Sequence, residues 1–576
     1  MHQGYLECGQ APISGRRFSL GTRIVLVVAL VASGIAALAA TAASSKASGK
    51  AKQTSLTFLV GEGFTTDLDP DGLPTVAQGQ INTNVYDKYF WYPTTNVKGA
   101  LVANYRGSVL QLVPHLVQSY THKGNVWTFT LRKGVKGCTG DELTADDAVY
   151  TYARVKSRTG LSNAMFSGYS TAGIFSPTDT SKTLNGEIAK VSKYTFRVTT
   201  VQPSQLMPRL FADAGYGMIF DSKLMQQHAT PDDPWSHKWL SAGNAAGYGP
   251  YCIASVDTTA QQYVLRANPG WYGPKPQFQT VTIRSVPDPA SRFAAVQSGQ
   301  ADGTNDLAPD QYASLAKSNS VYTVFDSGII RMTLNFKLAP WSLPGNGYLR
   351  RAVQAAMPYD AILKTLYGAA TSIQGPFAPT WTGAVTFPQP KTNIPLAKKL
   401  LAEAGFPDGQ GLDKYKDGLT LSYNSGNAWA PAVANQIQTG LAAIGINITV
   451  QPLAPPVFNG QSNGGNLPMF FSGGNPGNYP EVSAGAAIFY RSRAAGGVAN
   501  GSNYNNPDLD ATIVAMGSAT GDQYKKLAVK LQKYLWGDLP VVPIAVFANQ
   551  AVFKKGITGF LSRPQNPFVS FWPLHT

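Results

Sequence analysis

The chain has 576 residues, is 44% hydrophobic and 14% charged, and carries a formal net charge of +15. Such a composition excludes a disordered polyelectrolyte, and the length allows two or three domains of about 100–200 residues each. The Lys and Arg residues are scattered and form no aromatic-interleaved basic stripe, so the charge reads as a solvated surface or as attraction to an anionic envelope, not as a nucleic-acid footprint.

Arg16, Arg17 and Arg23 precede an apolar run over 24–40, and Ala40-Thr41-Ala42 follows. A basic start, an apolar run shorter than the roughly 20 residues of a membrane span, and small residues at a cleavage point describe an export signal over 1–43. The other use of such a run is an uncleaved N-terminal anchor. RRFSL hints at twin-arginine export, and no Cys follows the run to make a lipoprotein. Cys8 falls inside this segment. An exported compartment permits Cys138 and Cys252 to form a disulfide; the alternative is two separate buried thiols. Neither has metal-ligand spacing.

Residues 44–52 are a small, polar linker, and 56–60 a short apolar strand before Gly61-Glu62-Gly63. A helix rich in aromatic residues is expected over 81–91. Residues 116–121 and 126–131 form a hairpin, with Trp127, Phe129 and Leu131 alternating against Thr128 and Thr130. Gly134, Gly137 and Gly140 break the pattern. Thr144 then stands three residues before Asp147, an N-cap with a carboxylate near the positive end of a helix. A strand is expected over 194–199, a short helical piece over 205–211 and a polar loop over 232–238. Residues 251–256 pair with 262–266, and 281–286 is a further strand. Asp288-Pro289 opens a helix that Gly299 ends.

In the second half, 332–336 is a strand, 349–357 a helix stopped by Pro358, and 395–404 a helix stopped by Gly405. Residues 419–423, 430–444 and 446–450 make a strand, helix and strand, a parallel crossover expected to be right-handed. Residues 467–471 add a strand, 522–536 an amphipathic helix, and 541–547 an apolar strand. The fold class is α/β with mixed sheets and inserted β-hairpins.

Catalytic signatures are missing. The six His are dispersed, with no H-E-x-x-H and no zinc spacing. Gly168-Tyr169-Ser170 is followed by Thr171-Ala172-Gly173, which is not a G-x-S-x-G elbow. Gly247-Tyr248-Gly249-Pro250-Tyr251 has no third glycine in register and no helix behind it, so it is a turn and not a phosphate cradle. No cofactor or metal is expected. Asn424-Ser425-Gly426-Asn427-Ala428-Trp429 follows one parallel strand, and SGGNPGN with Tyr479 follows another. Ligands bind outside the carboxyl ends of strands in open α/β sheets. Amides, an indole and a phenol suit neutral polar recognition with ring stacking, although Asn and Gly are turn residues in any case.

The stretch 126–154 resembles the signature of the extracellular solute-binding proteins of family 5, the peptide- and nickel-binding group of ABC importers. Phe129, Leu131, Arg132, Gly134, Val135, Gly140, Thr144, Ala145, Asp147 and Val149 match its "tFkLRkGvkFsdGtplTAeDV" run. Leu68-Asp69-Pro70 resembles "slDP", and Gly247–Tyr251 resembles "GTGPY", with Leu265, Asn268, Trp271, Tyr272 and Gly273 behind it. Ala295-Val296-Gln297-Ser298-Gly299 with Asp302 resembles "aLqsGeiD". Asn335, Arg350, Ala352 and Ala356 follow "N…vRqAl.yAi", residues 397–405 follow "AkkLLaeAG", and Asn505-Asn506-Pro507 with Asp510 follows "y.NpevD". The order and spacing of these matches are what make them specific.

The resemblance implies a two-lobed, periplasmic-binding-protein-like clamshell (type II, cluster C) with an extra inserted domain. It divides the chain into signal 1–43, linker and first segment of domain I 44–84, domain II 85–245, second segment of domain I 246–328, domain III 329–544, and the closing segment of domain I 545–576. The expected function is an extracytoplasmic receptor of an ABC importer that is not an enzyme. It captures a peptide or other small polar solute, works as a monomer, and delivers to a permease and ATPase on separate chains. A secreted hydrolase or a non-transport envelope protein on the same fold is the alternative. The ligand-binding residues expected are Asn475, Asn478, Tyr479, Asn424 and Trp429 from the second lobe, Phe64 and Tyr86 from the first, and Trp381, which lines the cleft or packs.

One departure bears on the ligand. Peptide-binding members share a G-W-x-G-D loop whose Asp pairs with the peptide ammonium; here the loop is Gly474-Asn475-Pro476-Gly477-Asn478. An amide cannot neutralise a buried cation, and leaving one unpaired costs several kcal/mol. The loop therefore points to a neutral or differently charged solute, such as a sugar or blocked peptide. Asn478→Asp should raise affinity for free-amino dipeptides at least tenfold by calorimetry; no dipeptide binding in either form would mean that Asn478 does not occupy the carboxylate's place.

Overall fold

In the computed structural model the described residues are 52–61, 63–70, 76–104, 112–157, 187–200, 203–204, 207–212, 217–474, 480–497, 499–563 and 568–576. The expected export signal, the Gly168–Gly173 stretch and the residues Asn475, Asn478 and Tyr479 lie outside them.

Two long antiparallel strands, Asn319–Leu334 and Val541–Lys554, form the spine of an 11-stranded mixed sheet. Residues 319–324 pair with 549–554, and at this end lie Gly303–Asn305, Ser55–Val60, Thr280–Ser285, Gln262–Ala267 and Tyr251–Asp257. Residues 328–334 pair with 541–547, and beyond them lie Met469–Gly474, Thr420–Asn424 and Thr449–Leu453. The register shifts between Val324 and Gly328, where one sheet passes from one half to the other. A β-carbon on Gly328 would lie 2.5 Å from the Phe547 carbonyl oxygen, so only glycine lets the two backbones come this close.

Each half buries its own core. Phe58, Ile81, Val281, Ile283, Phe553 and Phe571 fill the first. Met332, Leu334, Val353, Leu421, Val433 and Ile437 fill the other. The helices Asn346–Ala356, Ile394–Glu403 and Ala430–Ala442 cover that second half. The last of these connects the parallel strands Thr420–Asn424 and Thr449–Leu453. A third core belongs to a separate four-stranded sheet, ordered Val117–Lys123, Val126–Leu131, Thr195–Thr199, Glu187–Ser192. Trp127, Phe129 and Leu131 are buried there, as the alternation requires.

The helix Ala145–Ser157 packs behind this sheet, and Asp147 fixes its start. The Thr144 backbone N–H donates to the Asp147 carboxylate at 2.7 Å, the N-terminal half of a capping box. The other Asp147 oxygen accepts from the Ser222 N–H at 2.8 Å and the Ser222 hydroxyl at 2.6 Å. One carboxylate thus ties two helix starts together. Burial raises its pKa, and these hydrogen bonds pull it back. Cys138, in the glycine turn before the helix, is bonded to Cys252 on the strand Tyr251–Asp257. The bridge closes 114 residues of chain and ties the four-stranded sheet's turn to the main sheet.

Four elements differ from the sequence reading. The helix expected over 81–91 is Val76–Val85. Residues 86–92 leave it because Tyr86, Tyr89, Phe90 and Tyr92 point into two different cores and the Asp87 carboxylate takes the Lys88 N–H at 2.8 Å. The strands expected over 332–336 and 541–547 are the second half of one 16-residue strand and the first half of one 14-residue strand. Within the loop expected over 232–238, a five-residue helix, His237–Ser241, begins behind Ser236.

Asp147→Ala should lower stability by about 2–4 kcal/mol, because it strands two N–H groups and a hydroxyl in the interior. Asp147→Asn, which keeps one acceptor, should fall between. Chemical denaturation followed by near-ultraviolet circular dichroism measures both, and an unchanged Asp147→Ala midpoint would contradict this role.

Candidate functional site

The strands Thr420–Asn424 and Met469–Gly474 run parallel, so their carboxyl ends lie on one edge. There the chain turns tightly: the Asn424 side-chain oxygen accepts the Gly426 N–H at 2.8 Å, and its carbonyl accepts the Asn427 N–H at 3.0 Å. Beside this turn is a cavity of about 250 Å³ lined by Asn424, Asn427, Asn459, Asn463, Arg331, Thr333, Ser472 and Ser502, with Phe458, Phe470, Phe489 and Tyr490. Period-2 geometry explains the split. Met332 and Leu334 face the helices of the second core, whereas Arg331 and Thr333 on the same strand face the cavity. The helices Pro455–Gly464 and Val482–Phe489 form the opposite wall.

Arg331 is 3% exposed. Its Nε donates to the Ser472 hydroxyl at 3.2 Å and its Nη1 to the Tyr490 hydroxyl at 3.0 Å. The guanidinium carbon lies 4.7 Å from the Phe489 ring centre and 5.6 Å from that of Tyr490. Burial pushes the Tyr490 phenol up, and the Arg331 charge pulls it back.

Of the described residues singled out in the sequence, Asn424 lines this cavity and the other four do not. Trp429 precedes the helix Ala430–Ala442 and packs on Phe471 and Phe547 at 5.3 and 5.8 Å between ring centres. Trp381 is buried and stacked on Phe377 at 5.3 Å. Phe64 stacks on Tyr263 at 5.3 Å. Tyr86 is buried edge-on to Phe220 at 5.5 Å, and its hydroxyl oxygen accepts the Ala246 N–H at 3.3 Å. Asn475, Asn478 and Tyr479 lie outside the described residues.

The sequence reading passed over three buried or partly buried charged residues. Arg331 is the first. Its signal was a lone Arg on a strand whose neighbours, Ile330 and Met332, are fully buried. Asp306 follows the strand Gly303–Asn305 with φ 59° and lies 3.6 Å from Arg292. Burial raises its pKa, while the Arg292 charge lowers it. Arg209, buried in the short helix Met207–Leu210, donates to the Thr382 hydroxyl at 2.9 Å and the Pro480 carbonyl at 3.4 Å. It bridges the core holding Phe211 and the body holding Trp381. Among the described residues no group of His, Cys, Asp or Glu could hold a metal ion, and no helix is long and apolar enough to cross a membrane.

Residues 111–497 match the bacterial extracellular solute-binding proteins, family 5. The glutathione-binding protein GsiB of Salmonella paratyphi A is 26% identical over 526 residues, covering 88% of this chain and 92% of its own. The periplasmic binding protein DppA of Helicobacter pylori, solved with the peptide STSA, superposes with a TM-score of 0.74 at 20% identity, over 91% of this chain and 98% of its own. MoaA of A. tumefaciens R10, solved with mannopinic acid, superposes with a TM-score of 0.72 at 21% identity, over 90% and 99%.

Arg209 is a side-chain bond across the molecule that can be removed without touching the cavity. Arg209→Ala should favour a more open form by about 1–2 kcal/mol. Small-angle scattering of the ligand-free protein should then show a larger radius of gyration, and an unchanged curve would contradict the bridging role.

Proposed function

The chain belongs to the bacterial extracellular solute-binding proteins, family 5, with their two-lobed fold, and on that premise we propose how it works. It is the substrate-binding component of an ABC importer. Its relatives are binding proteins that act outside the cytoplasm. The observation that carries the mechanism is the shared sheet: two strands are common to both halves, and their register shifts between Val324 and Gly328, where the halves meet, and again between Ile330 and Arg331. A solute that touches both halves selects the closed arrangement by its differential affinity for it.

On this reading the chain is exported by its N-terminal signal and acts as a monomer without catalysis. It passes a small polar solute to a permease and an ATPase on other chains. The proposed division is domain I from 44–84, 246–328 and 545–576, domain II from 85–245 and domain III from 329–544. The solute meets the second lobe at Asn424 and the 475–479 loop, with Asn475, Asn478 and Tyr479 as contacts. Trp429, Trp381, Phe64 and Tyr86, expected from the sequence as further ligand contacts, pack against Phe471, Phe377, Tyr263 and Phe220. Relatives in this fold take glutathione, a peptide and mannopinic acid, all of which are small, polar molecules; the solute proposed here is of that size and polarity.

Native mass spectrometry of the purified protein should show one retained small molecule per chain. Its return after removal should raise the melting temperature and reduce the radius of gyration. Turnover of a substrate that one carboxylate substitution abolishes would overturn the receptor reading.

A further inference from the structure

We infer that the cavity beside Arg331 is an anion subsite, and that the transported solute presents a carboxylate to this guanidinium. The inference rests on the receptor reading above. It starts from two other buried arginines that hold acids, although Arg209, as buried as they are, donates to a hydroxyl and a carbonyl. Arg154 holds Asp69 with two bonds of 3.0 and 2.8 Å. Arg292 has Asp306 at 3.6 Å and the carbonyls of Val286 and Pro287 at 2.6 and 2.8 Å. Arg331 is just as buried, yet its bonds go to two neutral hydroxyls, and its Nη2 has no hydrogen-bond partner among the described residues.

A guanidinium stays charged at any ordinary pH, and an uncompensated buried charge costs several kcal/mol. The faces of Phe489 and Tyr490 return part of that. The remaining edge belongs to a cavity whose described lining holds four asparagines and no Asp or Glu. Nothing there competes for the cation, and the amides can hold the neutral remainder of a solute. The planar donor fork suits the two oxygens of a carboxylate. A volume of about 250 Å³ admits a small molecule and not a folded chain.

The test compares wild type with Arg331→Met, both exported and purified without added solute. Native mass spectrometry of wild type should find a solute bearing a carboxylate, and Arg331→Met should retain it at least tenfold less. Arg331→Met stripped of solute should melt no lower than stripped wild type, since a structural pillar would lose stability and an unpaired cation would not. Stripped proteins are also titrated with sodium acetate at constant ionic strength, with acetamide as the neutral control. Acetate should raise the wild-type melting temperature saturably; acetamide should not, and Arg331→Met should respond to neither.

A retained solute without an acidic group, or equal retention by Arg331→Met, overturns the inference and leaves the receptor reading standing. If wild type retains nothing, the receptor reading loses its support, and the acetate titration alone decides the subsite: no saturable shift, or an equal shift in Arg331→Met, overturns it. Should Arg331→Met fail to fold, Arg331→Lys keeps the charge and loses the fork. Its acetate affinity should fall at least tenfold, and an unchanged affinity overturns the assignment.

Discussion

Two strands, Asn319–Leu334 and Val541–Lys554, belong to both halves of one sheet, and much else depends on that sharing. A paired ladder is stiff along its length, because twisting it strains every rung. Where rungs are missing, between Val324 and Gly328, the twist costs least. Gly328 keeps that crossing tight by bringing its backbone against the Phe547 carbonyl. On the proposed closing mechanism, this stretch of the two strands is where one half would turn against the other. Among the described residues, side-chain contacts such as Arg209 to Thr382 also tie the bodies together.

The stretch that identifies the family does different work. Trp127, Phe129 and Leu131, the glycine turn, Thr144 and Asp147 organise a small sheet and the start of one helix. Asp147 then reaches Ser222, and Cys138 reaches Cys252, so the small sheet is fastened at two places to segments later in the chain. None of these residues lines the cavity beside Arg331. The signature therefore reports a way of mounting one body on another, and it is silent about the solute.

Legibility followed local periodicity. Strands that bury one face, such as Val126–Leu131, and helices with clear stops, such as Pro289–Gln297 behind Asp288, could be read because each carries its own signal. The long strands could not be read whole. Phe325-Asp326-Ser327-Gly328 has turn composition, and what carries the strand through it is the pairing on either side, Val324 with Asn549 and Gly328 with Phe547, more than 200 positions away. The helix Val76–Val85 was placed late because buried aromatics continue past its end for reasons of tertiary packing. In the cavity, Asn424 was legible as a loop residue after a parallel strand. Arg331 was not, because one cation in an apolar strand says nothing until the opposite wall is known.

The charge balance of the second lobe connects the two observations about the ligand, one from sequence and one from structure. The sequence reading expects Asn478 where peptide-binding members of the family are expected to carry a carboxylate for an ammonium. On a buried sheet face the chain has Arg331, with hydroxyls and aromatic faces around it and no acid among the described residues lining its cavity. Each change alone has a bland explanation, a turn asparagine or a packed arginine. Together they move the preference in the same direction, by removing a partner for a cation and supplying one for an anion. Electrostatic selection in a water-poor site rests on such unpaired charges, because the wrong solute leaves the cost of burial unmet. A solute with a carboxylate and a neutral polar body satisfies Arg331 and the four asparagines at once, whereas one carrying only a free ammonium would meet Arg331 as a second cation and find no acid among the described lining.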